Sequence, residues 1–128
     1  MSTAGSQAWA FYRAVAKSRV LWSVRDDDGY PAPQTSSGRR AQPFWSSRSR
    51  AEKIIAAVPD YAVFRPDEVS WEAFCHVWVP DLERDGMLVG VNWSGPHATG
   101  FDLEPSEVQR AVEALIADPT LTPNGPGV

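Results

Sequence analysis

Cys75 and His76 are neighbours in the sequence, and a thiol beside an imidazole is the pairing that makes a cysteine nucleophile. Their surroundings argue against that use. Trp71, Phe74, Cys75, Trp78 and Leu82 fall on one helical stripe, so Cys75 belongs to an apolar face. Helical neighbours point ~100° apart, which turns His76 away from the thiol. His76 stands four residues after Glu72, a spacing that predicts a solvent-facing Glu–His pair. The second histidine, His97, reaches Cys75 only if the fold brings it there. One cysteine and two histidines without ligand spacing predict no disulfide and no metal site. The run Asp26-Asp27-Asp28-Gly29 suggests calcium, but an EF-hand loop in that frame would start at Val24 and need glutamate at Thr35. The same residues suit a tight turn, with glycine taking positive φ and aspartate capping backbone N–H groups. The chain has no GxxxxGK[ST], GxGxxG or GxSxG pattern. No catalytic residue and no cofactor is therefore expected.

Binding chemistry is better represented. Arg39, Arg40, Arg48 and Arg50 surround Phe44 and Trp45, an interleaving of cations and aromatics of the kind single-strand binders use. Four arginines in a chain of net charge −4 are a weak footprint for nucleic acid, and a solvated basic patch is expected instead. Of six tryptophans, Trp9, Trp22, Trp71, Trp78 and Trp93 fall on inward faces and predict core. Trp45, between Pro43 and a serine cluster, is expected to be partly exposed as a contact anchor beside Arg39 and Arg40.

Charge is unevenly distributed along the chain. Residues 1–65 hold ten Lys/Arg and five Asp/Glu, whereas residues 66–128 hold two and eleven. A small domain has little room to separate its halves, so the two excesses are expected to meet as solvated ion pairs. The sharper alternative is a bipolar surface that steers a charged partner.

The elements that must place these residues can be read in order. A helix capped by Ser6 runs to about Lys17, followed by a strand with Val20, Trp22 and Val24 on one face. Pro31 and Pro33 make the return from the Asp-Gly turn an edge strand or loop. A strand over Arg39–Trp45 leads through Ser46, Ser47 and Ser49 into a helix from Arg50 to Val58, and Tyr61–Arg65 is assigned a short buried strand. The helix after Ser70 should kink or restart at Pro80 and end at Gly86. Met87–Trp93 forms a strand with Met87, Val89, Val91 and Trp93 on one face, and Phe101–Leu103 another. Pro105 opens the last helix, with Val108, Ala111, Val112, Leu115 and Ile116 repeating helically. The sum is an α+β fold: one small domain over residues 6–117, a short antiparallel sheet, and about four helices packed mainly on one face. Residues 1–5 are expected to be a flexible N-terminus and 118–128 a disordered Pro/Gly tail. No apolar run is long enough to span a membrane, the start lacks a secretion signal, and a cytoplasmic domain is expected.

Several stretches carry a family resemblance. Trp22 precedes the Asp-Gly turn, and Phe44-Trp45-Ser46 precedes a helix. Phe74-Cys75-His76-Val77-Trp78-Val79-Pro80-Asp81-Leu82 then runs through Asp85-Gly86 into Leu88-Val89-Gly90-Val91. This order resembles the small bacterial family called domain of unknown function 2750, over about residues 11–115. Its most specific part is Trp-x-Pro-x-Leu followed by Asp-Gly and a valine-rich strand. Val79 stands where that motif would carry leucine. The resemblance implies a fold and transfers no catalytic residue.

With no reactive constellation, the expected function is non-enzymatic recognition of a protein partner, by analogy an immunity or regulatory factor. Asp81, Glu83, Asp85, Asp102 and Glu104 would meet a basic partner, with Trp45, Arg39 and Arg40 as the second contact. The alternative is a ligand-binding domain or enzyme with a pocket formed by Asp26, Asp28, Asn92 and His97. A third is a homodimer joined through edge strands near Pro31–Arg40.

Overall fold

In a computed structural model of the chain, residues 3–122 are described. Helix α1 spans Thr3–Ser18, so it starts before Ser6, which lies inside the helix rather than at the expected N-cap position. Phe11, Tyr12 and Val15 bury its apolar face. Arg19 takes a left-handed conformation (φ 60°), with its N–H donating to the Val15 carbonyl (2.7 Å) and its Nε to that of Ala16 (2.8 Å). That reversal drops the chain into β1, Val20–Arg25.

Strand β2 is Ala41–Phe44, α2 is Arg48–Ala57 and β3 is Arg65–Ser70. Then come α3 (Trp71–Ala73), a π-helical turn (Phe74–Trp78), α4 (Val79–Arg84), β4 (Leu88–Ser94), β5 (Thr99–Leu103) and α5 (Pro105–Ala117). Strands β1 and β3 pair antiparallel, and β2–β4–β5 form a second sheet in which β2–β4 is parallel. The expected α+β fold with short antiparallel pairs is what forms, and β2–β4 is the parallel exception. The chain between β2 and β4 crosses over through helices and β3, the kind of long connection that a parallel pair needs. A two-way bridge between Trp22 and Trp45 (2.8 and 2.6 Å) joins the two sheets.

One face of this layer carries α1, α3–α4 and α5 around Leu21, Phe44, Val69, Val89 and Val91. The other carries α2, around Val24, Trp45, Leu88 and Trp93. Within the layer Ser23 and Gln42 are buried and satisfy each other: Gln42 Nε2 donates to Ser23 Oγ (3.0 Å), which donates to the Pro43 carbonyl (2.9 Å).

Several local rules hold. Ser47 and Ser70 cap α2 and α3 by accepting from the N–H groups of Arg50 and Ala73. Gly86 stands at φ +69° after α4. Pro80 does not end the helix abruptly. The chain widens first into a π turn, with the Val79 N–H reaching the Phe74 carbonyl five residues back, and Pro80 then sits in the first turn of α4. The wide turn frees the proline ring from the carbonyl it would otherwise strike.

Two other expectations are corrected. Pro59–Tyr61 is a 3₁₀ turn, and the strand lies just beyond it at Arg65–Ser70. Trp93 does not share a face with Val89 and Val91. Asn92 takes φ 49°, the pairing with β5 slips between Val91 and Ser94, and the indole crosses to the α2 side, over Gly90. Beyond α5, Thr120 donates to Asp118 and Leu121 packs against the core. Residues 123–128 of the expected tail, and residues 1–2 of the expected flexible start, lie outside the described residues.

Candidate functional site

Trp45 is fully buried, and this overturns its expected role as an exposed anchor. Its backbone bridges Trp22 and its Nε1 donates to the Trp93 carbonyl (2.8 Å), so both its ring and its polar handle are used internally. Phe44 is buried as well, so neither ring of the Arg-rich stretch offers a face to a base. Arg39 forms a bidentate pair with Glu104 and donates from Nε to the Gly86 carbonyl (3.0 Å). Arg40 donates to the Ala32 carbonyl (2.8 Å).

Cys75 and His76 both line a shallow groove with Glu72 and Glu113, but no hydrogen bond joins thiol and imidazole among the described residues. Burial, reinforced by Glu113, pushes the Cys75 thiol up to about 11, the direction opposite to activation. The expected Glu72–His76 pair is absent among the described residues, because the π turn re-phases the i, i+4 spacing.

The four residues of the alternative pocket do not converge. Asp26 accepts from the N–H groups of Asp28 and Gly29 (2.9 and 3.1 Å), a turn-forming use of its carboxylate. Asn92 accepts from the Ser46 N–H (2.9 Å), which ties the bulge of β4 to the end of β2. His97 alone lines a cleft, and neither the Asp-Gly turn nor Asn92 takes part in it.

That cleft, of about 560 Å³, lies between the 33–36 loop, the Pro59–Tyr61 turn and the β4–β5 hairpin. This is within the usual range for small-ligand sites. Two acids line it, Asp60 and Asp102, and no Lys or Arg does. Asp102 is half-buried, and one oxygen accepts from Trp93 Nε1 (3.0 Å). Burial raises its pKa above the ordinary carboxylate value, and the Trp93 bond opposes the rise only partly. Ala98, at φ 52°, is held left-handed in the hairpin loop on the cleft wall. Sequence inspection found His97 but missed Asp60, Tyr61 and Asp102 as its company. The three segments are far apart in the chain, and no spacing rule links them.

The distribution of charge is the other candidate feature. Five ion pairs form among the described residues, and only Arg39–Glu104 joins residues 1–65 to residues 66–128. The others lie within one half: Arg48–Glu52, Arg65–Asp27, and Arg84 with Asp81 and Asp85. The expectation that the two excesses cancel across the fold is therefore corrected. Glu68, Glu72, Glu83 and Glu107 are exposed and have no ion-pair partner among the described residues. Val77, 54 % exposed, sits in the π turn just ahead of Asp81, Glu83 and Asp85. Among the described residues no group of three or more His, Cys, Asp and Glu could hold a metal ion. No helix there is long and apolar enough to cross a membrane.

The family model described as protein of unknown function (DUF2750) matches residues 8–112. The chain belongs to that family. The match takes in every strand, α2 to α4 and the cleft, and it leaves the start of α1 and the end of α5 outside. No curated protein matches the chain. The matched span includes the Trp-x-Pro-x-Leu helix and the valine-rich β4, and it leaves the function to be argued from the surface.

Proposed function

We propose that this DUF2750 protein is a cytoplasmic, non-enzymatic binding module whose acidic side recognises a basic protein, as an immunity or regulatory factor would. The observation that supports this is that, among the described residues, one ion pair joins the two halves while Asp81, Glu83 and Asp85 stay exposed. Asp81, Glu83 and Asp85 cluster at the end of α4, where Arg84 pairs with Asp81 and Asp85 and Glu83 has no ion-pair partner among the described residues. Val77 supplies exposed apolar area on the preceding turn, the part Trp45 was expected to play. An uncancelled field of one sign steers an oppositely charged partner, and a small apolar contact then slows its departure.

The test is a pull-down with the tagged chain at about 50 mM and about 500 mM salt, alongside the charge-reversed D81K/E83K/D85K variant. The expected result is a basic partner captured at low salt, released at high salt and lost with the variant. Capture indifferent to both salt and charge reversal would refute the proposal.

A further inference from the structure

Tyr61 is 8 % exposed and lines the cleft, yet its hydroxyl has no hydrogen-bond partner among the described residues. The ring is fixed by an edge contact to Phe64 (centroids 5.5 Å apart) and by packing in the α2-side core. The hydroxyl oxygen keeps some contact with solvent, and the residue itself lines the cleft. The tyrosine thus brings to the cleft a hydroxyl that the fold itself does not use. Across the same space Asp102 uses one carboxylate oxygen for Trp93 and leaves the other, Oδ2, without a partner. Asp60 adds a second negative charge, and no lining cation offsets either.

We propose that this cleft binds an organic cation, a guanidinium or primary ammonium group, held by Asp102 and Asp60 and hydrogen-bonded by the Tyr61 hydroxyl, with the Trp93 indole alongside. The chemistry fits each part. A cation with several N–H donors supplies what the free Asp102 oxygen and the Tyr61 hydroxyl lack, since both can accept. Aromatic walls favour a delocalised or alkylated cation over a metal ion. The raised pKa of Asp102 agrees, because a partly desolvated carboxylate gains most from a nearby positive charge. The cation can be a free small molecule or an Arg or Lys side chain presented by another chain. The site is distinct from the acidic end of α4, so it stands or falls separately from the proposed function.

The experiment is an NMR titration of the ¹⁵N-labelled chain, following the Trp93 indole N–H, which donates to Asp102. The probes are agmatine and the blocked peptide acetyl-Gly-Arg-Gly-amide, with sodium chloride at matched ionic strength as control. The expected result is a saturable shift with a guanidinium probe that sodium chloride does not produce. Tighter binding of agmatine assigns a free cation, and equal or tighter binding of the peptide assigns a side chain. Asp102→Asn keeps an acceptor for Trp93 but removes the charge, and it should weaken binding about tenfold. Tyr61→Phe should weaken it several-fold and carries the test if Asp102→Asn loses its dispersed spectrum. D81K/E83K/D85K should leave the titration unchanged. No saturable shift, a shift that salt reproduces, or binding undiminished in the cleft variants would overturn the assignment.

Discussion

Gly90→Ala is the change that most directly tests the placement of Trp93. A Cβ at position 90 would lie 2.3–2.6 Å from Cε2, Cζ2 and Nε1 of the Trp93 ring, closer than any carbon contact allows. The indole has nowhere to retreat. Its Nε1 is bonded to Asp102 at 3.0 Å, and on another side Gly100 leaves so little room that a Cβ there would stand 2.8 Å from Cδ1. Trp93 is 4 % exposed and its carbonyl holds the Trp45 indole, so displacing the ring disturbs two tryptophans of the α2-side core. Overpacking alone costs about 1–3 kcal/mol, and losing a buried tryptophan's packing costs about 3–5. We expect a loss of about 3 kcal/mol, a large share of the 6–19 kcal/mol or so that a domain of this length commands. In urea the midpoint should fall by about 1–3 M, with the slope unchanged. The Trp93 indole resonance should move in the same variant. A midpoint shift worth less than about 0.5 kcal/mol, with that resonance unmoved, would show that the indole does not lie over Gly90 and would remove the aromatic wall of the cleft.

Two further predictions follow from single residues. Asn92→Ala should cost about 1–3 kcal/mol, because it combines a left-handed backbone with loss of the bond to the Ser46 N–H, whereas Asn92→Gly should cost less since glycine tolerates φ 49°. Chemical denaturation of the pair checks this, and equal losses would mean that the backbone carries no strain. The Cys75 thiol, raised from 9.0 to about 11, should react with iodoacetamide about 100-fold more slowly than a model thiol at pH 8, with the rate rising up to about pH 11. The same shift fixes a sign for stability. The contribution of the protonated thiol is complete below pH 9 and is lost as pH rises through about 11, so alkaline unfolding should begin later in Cys75→Ala than that variant's neutral-pH stability would suggest.

Much of the fold was legible where one periodicity ran uninterrupted. The stripe of α5, the Ser47 and Ser70 caps, the Asp26 turn and the Gly86 reversal all depend on neighbours within a turn or two. The failures have a common physical form: one residue altered the frame of those around it. Asn92, left-handed and tied to Ser46, flipped Trp93 across the sheet, and alternation counted through a bulge gives the wrong face. The π turn did the same to Glu72 and His76. Strand β3 was hidden because Arg65-Pro66-Asp67-Glu68 shows no apolar alternation, yet β1 holds it by backbone pairing along its whole length. Trp45 was misplaced because its flanking serines suggested a surface, while its environment is set by Trp22 and Trp93, remote in sequence. The cleft was illegible for a related reason. Tyr61 lies in the 59–61 turn and His97 and Asp102 in the β4–β5 hairpin, and only the topology brings the two segments together.

The two binding features should respond differently to salt, and that difference separates them. The acids of α4 are solvent-exposed, and four of the five ion pairs join residues of the same half, so the imbalance between halves is a long-range property of the surface. Such a field is screened over about 8 Å at physiological ionic strength, and its effect falls chiefly on the rate of encounter. The Asp102 carboxylate is half-buried in a cleft that Tyr61 also lines and accepts from the Trp93 indole, and there screening is weaker and geometry decides the residence time. A basic protein that presents one arginine to the cleft while its other cations face Asp81, Glu83 and Asp85 would therefore associate more slowly as salt rises, with little change in its dissociation rate. Asp102→Asn should act the opposite way, speeding dissociation and sparing the salt-dependent approach. If both perturbations altered only the association rate, the cleft would be one more patch of the acidic surface, and the unpartnered Tyr61 hydroxyl would have no ligand to account for it.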